Sequence, residues 1–321
     1  MEHWTRYWNT TNALNSFAEG EYSTNYQGDI LHFWERILKD TPQHSTIIDL
    51  ASGNGALAVL AYQYGVSHRY NFNIHAVDAS DVGVAGRLTS FPSSVADALA
   101  NIAFHSNTFI ENMPFDDASA DLLISQYGLE YSELNRSLIE CARVLKAGGR
   151  LCALMHHTDS VIVKDSKAGL RVLEHLFAKN GFHTQCMALL AHARDLLGKG
   201  GSIHDDALFQ TLNKQLLDTA KHDIDHFSDS NERLWFDSFL SKITPFLYRV
   251  SQDSHRCCAQ YFHDLTLYRH RLKDQIHASM DHRKVTALRV ALMANGFEVS
   301  FTPMYMDGNQ VGIAMIAIKL S

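Results

Sequence analysis

The stretch Asp49-Leu50-Ala51-Ser52-Gly53-Asn54-Gly55 combines a carboxylate with two glycines where an apolar run gives way to a helical pattern. Glycine at such a junction lets the backbone turn sharply and lets a ligand approach the main chain. The helix that follows presents its unpaired N–H groups to the same place. Asp78 lies 23 residues after Gly55, at the end of the next apolar run. A carboxylate there can accept hydrogen bonds from both hydroxyls of a ribose. The chemistry this predicts is binding of an adenosine-type cofactor across the carboxyl ends of neighbouring strands. Gly53-x-Gly55-x-x-Ala58 also fits the dinucleotide fingerprint, so a nicotinamide cofactor is one reading. Asp49 favours another, because a negative charge before the glycines repels a pyrophosphate and attracts an amino group.

The elements that must position these residues follow from periodicity. Strands are expected at Thr46–Leu50, Asn73–Asp78, Ile102–His105, Asp121–Ser125 and Arg150–His156, with helices between them at 56–64 and 134–146, the latter stopping at Gly148-Gly149. Such alternation implies a mostly parallel sheet wrapped by helices. Residues 1–44 are aromatic and helical in flavour. From 158 to 282 the period is helical throughout, and after a helix at 284–295 two strands, 298–306 and 310–320, are joined by Asp307-Gly308-Asn309, which suits a hairpin. The expected organisation is an α/β domain over 45–157 and 283–321, a helical lid over 1–44, and an all-α insertion over 158–282.

Four ordered motifs carry a resemblance to the class I S-adenosylmethionine-dependent methyltransferases, of the type 11 motif set. They are the Asp49–Gly55 turn, the acid Asp78, the passage Glu111-Asn112-Met113-Pro114-Phe115-Asp116-Asp117-Ala118-Ser119-Ala120-Asp121-Leu122-Leu123-Ile124, and the passage Arg143-Val144-Leu145-Lys146-Ala147-Gly148-Gly149-Arg150-Leu151. The resemblance covers about 45–157 and 283–320. It implies a Rossmann-like seven-stranded sheet ending in an antiparallel hairpin, S-adenosyl-L-methionine as cofactor, and methyl transfer by in-line displacement from the sulfonium. It further implies that Asp49 holds the cofactor's amino group, that the backbone of Ala51, Ser52, Gly53, Asn54 and Gly55 lines its methionine part, and that Asp78 and Ala79 lie at the ribose. Phe109, Ile110 and Glu111 would flank the adenine, and Gln126, Tyr127 and Gly128 would face the sulfonium. The chain departs from the family at Ala51, which replaces the first glycine and calls for a negative φ. It departs again near Phe109-Ile110, where no carboxylate is available for the adenine amino group.

Because the donor is intrinsically reactive, the protein's main task is alignment and exclusion of water. Candidates for a proton acceptor are His156, His157 and Tyr127, histidine being suited to this near neutral pH. Glu130, Tyr131, Tyr22 and Tyr26 are candidates for the acceptor side and lid. His222 and His226, spaced i to i+4, could hold a metal only with a third ligand that the sequence does not supply. The basic run Tyr268–Lys273 reads as an exposed helix face.

Composition narrows the partners. The chain has 321 residues, with 28 Lys+Arg against 35 Asp+Glu, giving a net charge of −7. That balance favours a small-molecule acceptor over nucleic acid. No apolar run approaches a bilayer span, and the first residues lack a secretory pattern. The 5 cysteines are odd in number and have no C-x-x-C pair, which suits reduced thiols in a cytoplasm. The insertion is expected to cap the acceptor pocket, with homodimerisation as the rival role. The alternative functions are methylation of tRNA or protein, and a non-catalytic cofactor-binding partner subunit.

Overall fold

The computed structural model describes residues 2–11, 13–15 and 26–320. Two compact units are present, Met1–Val163 with His277–Ser321, and Lys164–Ile276.

The first unit is built on one sheet of seven strands: β1 (Thr46–Leu50), β2 (Asn73–Val77), β3 (Ala103–His105), β4 (Ala120–Gln126), β5 (Leu145–Met155), β6 (Phe297–Met306) and β7 (Asn309–Lys319). Their order is β3-β2-β1-β4-β5-β7-β6. All neighbours are parallel except β7, which runs antiparallel to both β5 and β6. This is the Rossmann-like mixed sheet that the motif order implies. Ile47, Ile48 and Leu50 in β1 are all fully buried, as expected of a central strand covered on both faces. The order reverses at β1, where the chain moves to β2 on one side and later returns to β4 on the other. Ligands in such sheets bind in the crevice at this switch point.

One face is packed by α2 (Gly28–Lys39), α3 (Ala56–His68) and α4 (Ser93–Ala100), through Phe33, Trp34, Leu57, Leu60 and Leu99. The other is packed by α5 (Leu134–Val144) and α11 (His282–Ala294), through Leu138, Cys141, Leu288 and Leu292. A short helix, α1 (Glu2–Thr10), precedes them. The hairpin has both central residues at positive φ, Asp307 at 51° and Gly308 at 78°, as a two-residue turn between right-twisted strands requires.

One boundary differs from the sequence reading. α5 stops at Val144, and Gly148-Gly149 lies inside β5 instead of ending a helix. The Lys319 ammonium donates to the carbonyls of Ala142 and Leu145 at 2.6 and 2.7 Å, so a distant lysine satisfies the helix end. A Cβ at Gly149 would fall 2.9 Å from the Lys146 carbonyl. The glycine therefore serves a close turn into the sheet.

The second unit consists of helices α6 (Val161–Leu176, from Lys164 onward), α7 (Phe182–Gly198), α8 (Ala207–His226), α9 (Ser230–Tyr248) and α10 (Ser254–Ala278, up to Ile276). They enclose a core of Leu173, Phe182, Leu190, Phe236, Ile243 and Phe262. His222 and His226 sit in the last turn of α8, and the nearly fully buried Asp223 accepts a hydrogen bond from His175 Nε2 at 2.8 Å.

Among the described residues no helix is long and apolar enough to cross a membrane, and no group of three or more His, Cys, Asp or Glu is arranged to hold a metal ion.

Candidate cofactor and acceptor site

The carboxyl end of β1 turns directly into α3. Ser52 N–H donates to the Val77 carbonyl at 3.0 Å and Gly55 N–H to the Ser52 carbonyl at 2.9 Å, while Gly53 and Gly55 adopt φ of 53° and 87°. Ala51 does too, at φ 53°, against the negative value its lack of glycine called for. The left-handed region costs an alanine about 1–2 kcal/mol. The methyl group is accommodated by the end of β4, since a Cβ at Gly128 would fall 2.7 Å from the Ala51 Cβ. Small residues on both sides let the two strand ends approach. Ser125 Oγ ties them, donating to the Leu50 carbonyl at 2.8 Å and accepting from Leu129 N–H at 2.9 Å.

Two buried carboxylates flank this turn. Asp49 accepts the Ala58 N–H at 3.0 Å, satisfying one of the orphan donors in the first turn of α3. Asp78 accepts from Gly53 N–H and Ser80 N–H, each at 2.7 Å, one per oxygen. Burial raises both carboxyls above their usual range, and for Asp49 the charge of Asp78 adds to the effect. Each oxygen keeps a further lone pair for a ligand donor. Ala79 follows Asp78 at the mouth. Beyond β3, Phe109 is half exposed, at 54%, whereas Ile110 is packed in the core with Val77 and Met113. The Glu111 carboxylate accepts the Glu133 N–H at 2.7 Å, outside the turn.

The ends of β4 and β5 supply the remaining groups. Gln126 Oε1 accepts from the buried Trp34 indole N–H. Tyr127, at φ 53°, donates from its hydroxyl to the Val311 carbonyl at 3.1 Å and stacks on His156 with ring centres 4.3 Å apart. Glu130, 5% exposed, accepts the His156 N–H through Oε1 at 2.7 Å. Burial alone carries the His156 imidazole down to about 3, so it is neutral throughout the physiological range. Burial pushes the Glu130 carboxyl up to about 7, against the pull of the His156 N–H. The Tyr127 phenol is raised by burial, then by Glu130 and Tyr26. Burial thus makes the His156 imidazole a weaker proton acceptor than a free histidine and the Glu130 carboxyl a stronger one than a free glutamate. His157 lies one residue on, in a bridge to Met280, and accepts the Asp159 N–H at 3.3 Å.

Among the described residues, three buried atoms of these strand ends find no hydrogen-bond partner: Gln126 Nε2, Glu130 Oε2 and His156 Nδ1. Leaving such a group unsatisfied costs about 1–3 kcal/mol, so their concentration marks a place that a ligand or water completes. Among the described residues, no Lys or Arg charge acts on Asp49, Asp78 or Glu130. Every charge interaction that raises these groups comes from another acid: Asp78 on Asp49, Asp49 on Tyr26, and Glu130 and Tyr26 on Tyr127. The donor set fits a cationic ligand bearing an amino group and hydroxyls, as S-adenosylmethionine does.

Helix α1 roofs the turn. A Cβ at Gly53 would meet the Trp8 indole at 2.5–2.8 Å, so the ring lies directly on the glycine. Trp4 stacks against Trp8 at 6.4 Å and meets Tyr131 edge-on at 5.6 Å. Arg87 holds the roof, donating to the carbonyls of Thr11 and Trp8 at 2.8 Å and to Asn54 Oδ1 at 3.0 Å. Asn54 in turn donates to the Ala13 carbonyl at 2.9 Å, and Asn9 accepts the Gly83 N–H at 3.1 Å. Tyr26 is buried beside this group, with its phenol raised by burial and by Asp49. Tyr22 lies outside the described residues. Arg87, Asn9 and Trp8 were not singled out from the sequence; only the aromatic density of the N-terminus signalled the roof.

Residues 48–153 match the family described as methyltransferase domain. No curated protein matches the chain. Among solved structures, a Methanococcus maripaludis protein assigned to the S-adenosyl-L-methionine-dependent methyltransferases aligns over 91% of this chain and 85% of its own, at 14% identity and a TM-score of 0.42. The YcgJ protein of Bacillus subtilis aligns over 90% of this chain and 99% of its own, at 14% identity and a TM-score of 0.38. Geranyl diphosphate C-methyltransferase from Streptomyces coelicolor A3(2) aligns over 48% of this chain and 63% of its own, at 16% identity and a TM-score of 0.35. In that enzyme and in a second geranyl diphosphate methyltransferase, where 44% is covered, the match spans less than two thirds of the relative.

Proposed function

We propose that this chain, whose residues 48–153 form a methyltransferase domain, transfers the methyl group of S-adenosylmethionine to a small organic acceptor. The observation that carries the reading is the glycine turn set between two buried carboxylates, Asp49 and Asp78, at the switch point of the sheet. The family match over the same residues displaces the nicotinamide reading of Gly53-x-Gly55-x-x-Ala58.

When bound, S-adenosylmethionine supplies a methyl group already activated by its sulfonium charge. Asp49 would hold the amino group, the backbone of Ala51–Gly55 the methionine part, and Asp78 with Ala79 the ribose. Phe109 would lie against the adenine, with Ile110 behind it in the core. Gln126 and Tyr127 would border the sulfonium, and Tyr131, Trp4 and Trp8 would exclude water from the reacting centre. Alignment of acceptor and methyl group in such a site would contribute to the rate enhancement. A roof of side chains held by Arg87 and Asn9 suits a small molecule better than a polymer, and the net charge of −7 points the same way.

Titration calorimetry with S-adenosylmethionine and S-adenosylhomocysteine tests the proposal. One-to-one binding is expected, weakened at least about tenfold by Asp78→Asn, a loss of roughly 1.4 kcal/mol. A folded sample that binds neither compound would sink it.

A further inference from the structure

Of the three orphaned atoms at the ends of β4 and β5, Glu130 Oε2 is the one that a cationic second ligand can meet. Gln126 Nε2 can only donate, and Glu130 Oε2 accepts when ionised. Glu130 Oε1 is already spent on the His156 N–H. Aromatic faces lie near His156, whose N–H Glu130 accepts: Tyr127 stacks on His156, Tyr131 meets His156 edge-on at 6.1 Å, and Trp4 meets Tyr131 edge-on at 5.6 Å. Such faces attract a cation. Asp49 would answer the amino group of the methyl donor, and Glu130 is a second buried carboxyl on which, among the described residues, no Lys or Arg charge acts.

We infer that the methyl acceptor is a basic amine, that its nitrogen sits against Glu130 Oε2 beside the faces of Trp4, Tyr127 and Tyr131, and that Glu130 takes its proton. The inference rests on the methyltransferase reading. The ammonium N–H bond breaks with its electron pair left on nitrogen and the proton passing to Oε2. That pair forms the new N–CH3 bond while the donor's C–S bond breaks and its electrons stay on sulfur. The N-methylammonium product then leaves, and Glu130 returns its proton to solvent.

Proton affinity selects this class over its rivals. The Glu130 carboxyl stands at about 7. An alkylammonium near 10 is about three units away, whereas an aliphatic hydroxyl, near the value of about 16 for water, is about nine units away. A phenol gives up its proton as readily as an ammonium. With Glu130 then protonated, a phenolate still leaves one buried negative charge at the site, whereas the deprotonated amine leaves none.

The test uses the full chain with methyl-13C-labelled S-adenosylmethionine and two defined pools, primary and secondary amines on one side and alcohols and phenols of the same skeletons on the other. N-methyl and O-methyl carbons are distinguished by NMR. Label is expected in the amine pool only, at a rate at least tenfold lower in Glu130→Gln, with S-adenosylhomocysteine binding unchanged. An independent readout is the quenching of tryptophan fluorescence by benzyltrimethylammonium in the S-adenosylhomocysteine-loaded chain. Its affinity should fall at least tenfold in Glu130→Gln. Label in the oxygen pool, no labelled amine from a chain that binds the donor, or a variant equal to wild type in both readouts overturns the proposal. A wild-type chain that fails to bind the donor overturns the methyltransferase reading instead.

Discussion

Replacing Glu130 by glutamine should stabilise the ligand-free protein, and by an amount that grows with pH. The carboxyl stands at about 7 in the fold against 4.5 for the free group. Between those values the unfolded chain releases its proton while the native state keeps it. The native state then binds more protons, so stability falls as pH rises through this window and levels off above about 7. A gap of about 2.5 units at about 1.4 kcal/mol per unit gives a full penalty near 3.4 kcal/mol. At pH 5 about 0.8 kcal/mol of it is felt, and at pH 8 nearly all of it. Glutamine keeps the Oε1 acceptor for the His156 N–H, so the structural bond survives the substitution. The variant should therefore gain about 2.5 kcal/mol more at pH 8 than at pH 5. Urea denaturation at fixed pH, followed by tryptophan fluorescence, provides the assay. Trp4, Trp8 and Trp34 report the first unit, and a Trp235→Phe background silences the second. A gain equal at both pH values, or a loss at pH 8, would refute the reasoning.

The neighbouring imidazole should act with the opposite sign. His156 stands at about 3 in the fold against 6.5 for the free group, so its penalty grows as pH falls below 6.5, and His156→Gln should move the acid-unfolding midpoint to lower pH in a circular dichroism titration. Gly128→Ala should cost about 1–3 kcal/mol, because its Cβ would lie 2.7 Å from that of Ala51, and Ala51→Gly should recover part of the loss in a double-mutant thermal series, the Leu50 carbonyl at 3.1 Å keeping the rest. In the helical unit, His175→Ala removes the hydrogen bond to the Asp223 carboxylate, side chain 2% exposed, and should destabilise that unit by about 1–3 kcal/mol in calorimetry.

Much of this was legible in the residues. The buried run Thr46–Leu50, the glycines after it and the acid ending the next apolar run announce a strand–turn–helix at a ligand, because few other arrangements use those types at that spacing. The Asp307-Gly308 turn is equally explicit, since both of its central residues must adopt positive φ. The helix end before Gly148-Gly149 was misplaced because the cap comes from Lys319, which is remote in sequence. Ala51 at positive φ was unexpected for a related reason: the space for its methyl is provided by Gly128 on another strand. The proton affinity of His156 and of Glu130 could not be read locally. It depends on how completely each is buried, a property of the packed strand ends and the roof. Arg87 carries no motif at all, and only the fold brings it to the Trp8 and Thr11 carbonyls.

A structure of the chain with S-adenosylhomocysteine bound tests the central claim most directly. The account predicts the ribose hydroxyls on Asp78, the amino group beside Asp49 and the sulfur directed toward Tyr127 and Glu130. A ligand bound elsewhere, or bound here with neither Asp49 nor Asp78 in contact with it, would contradict the account.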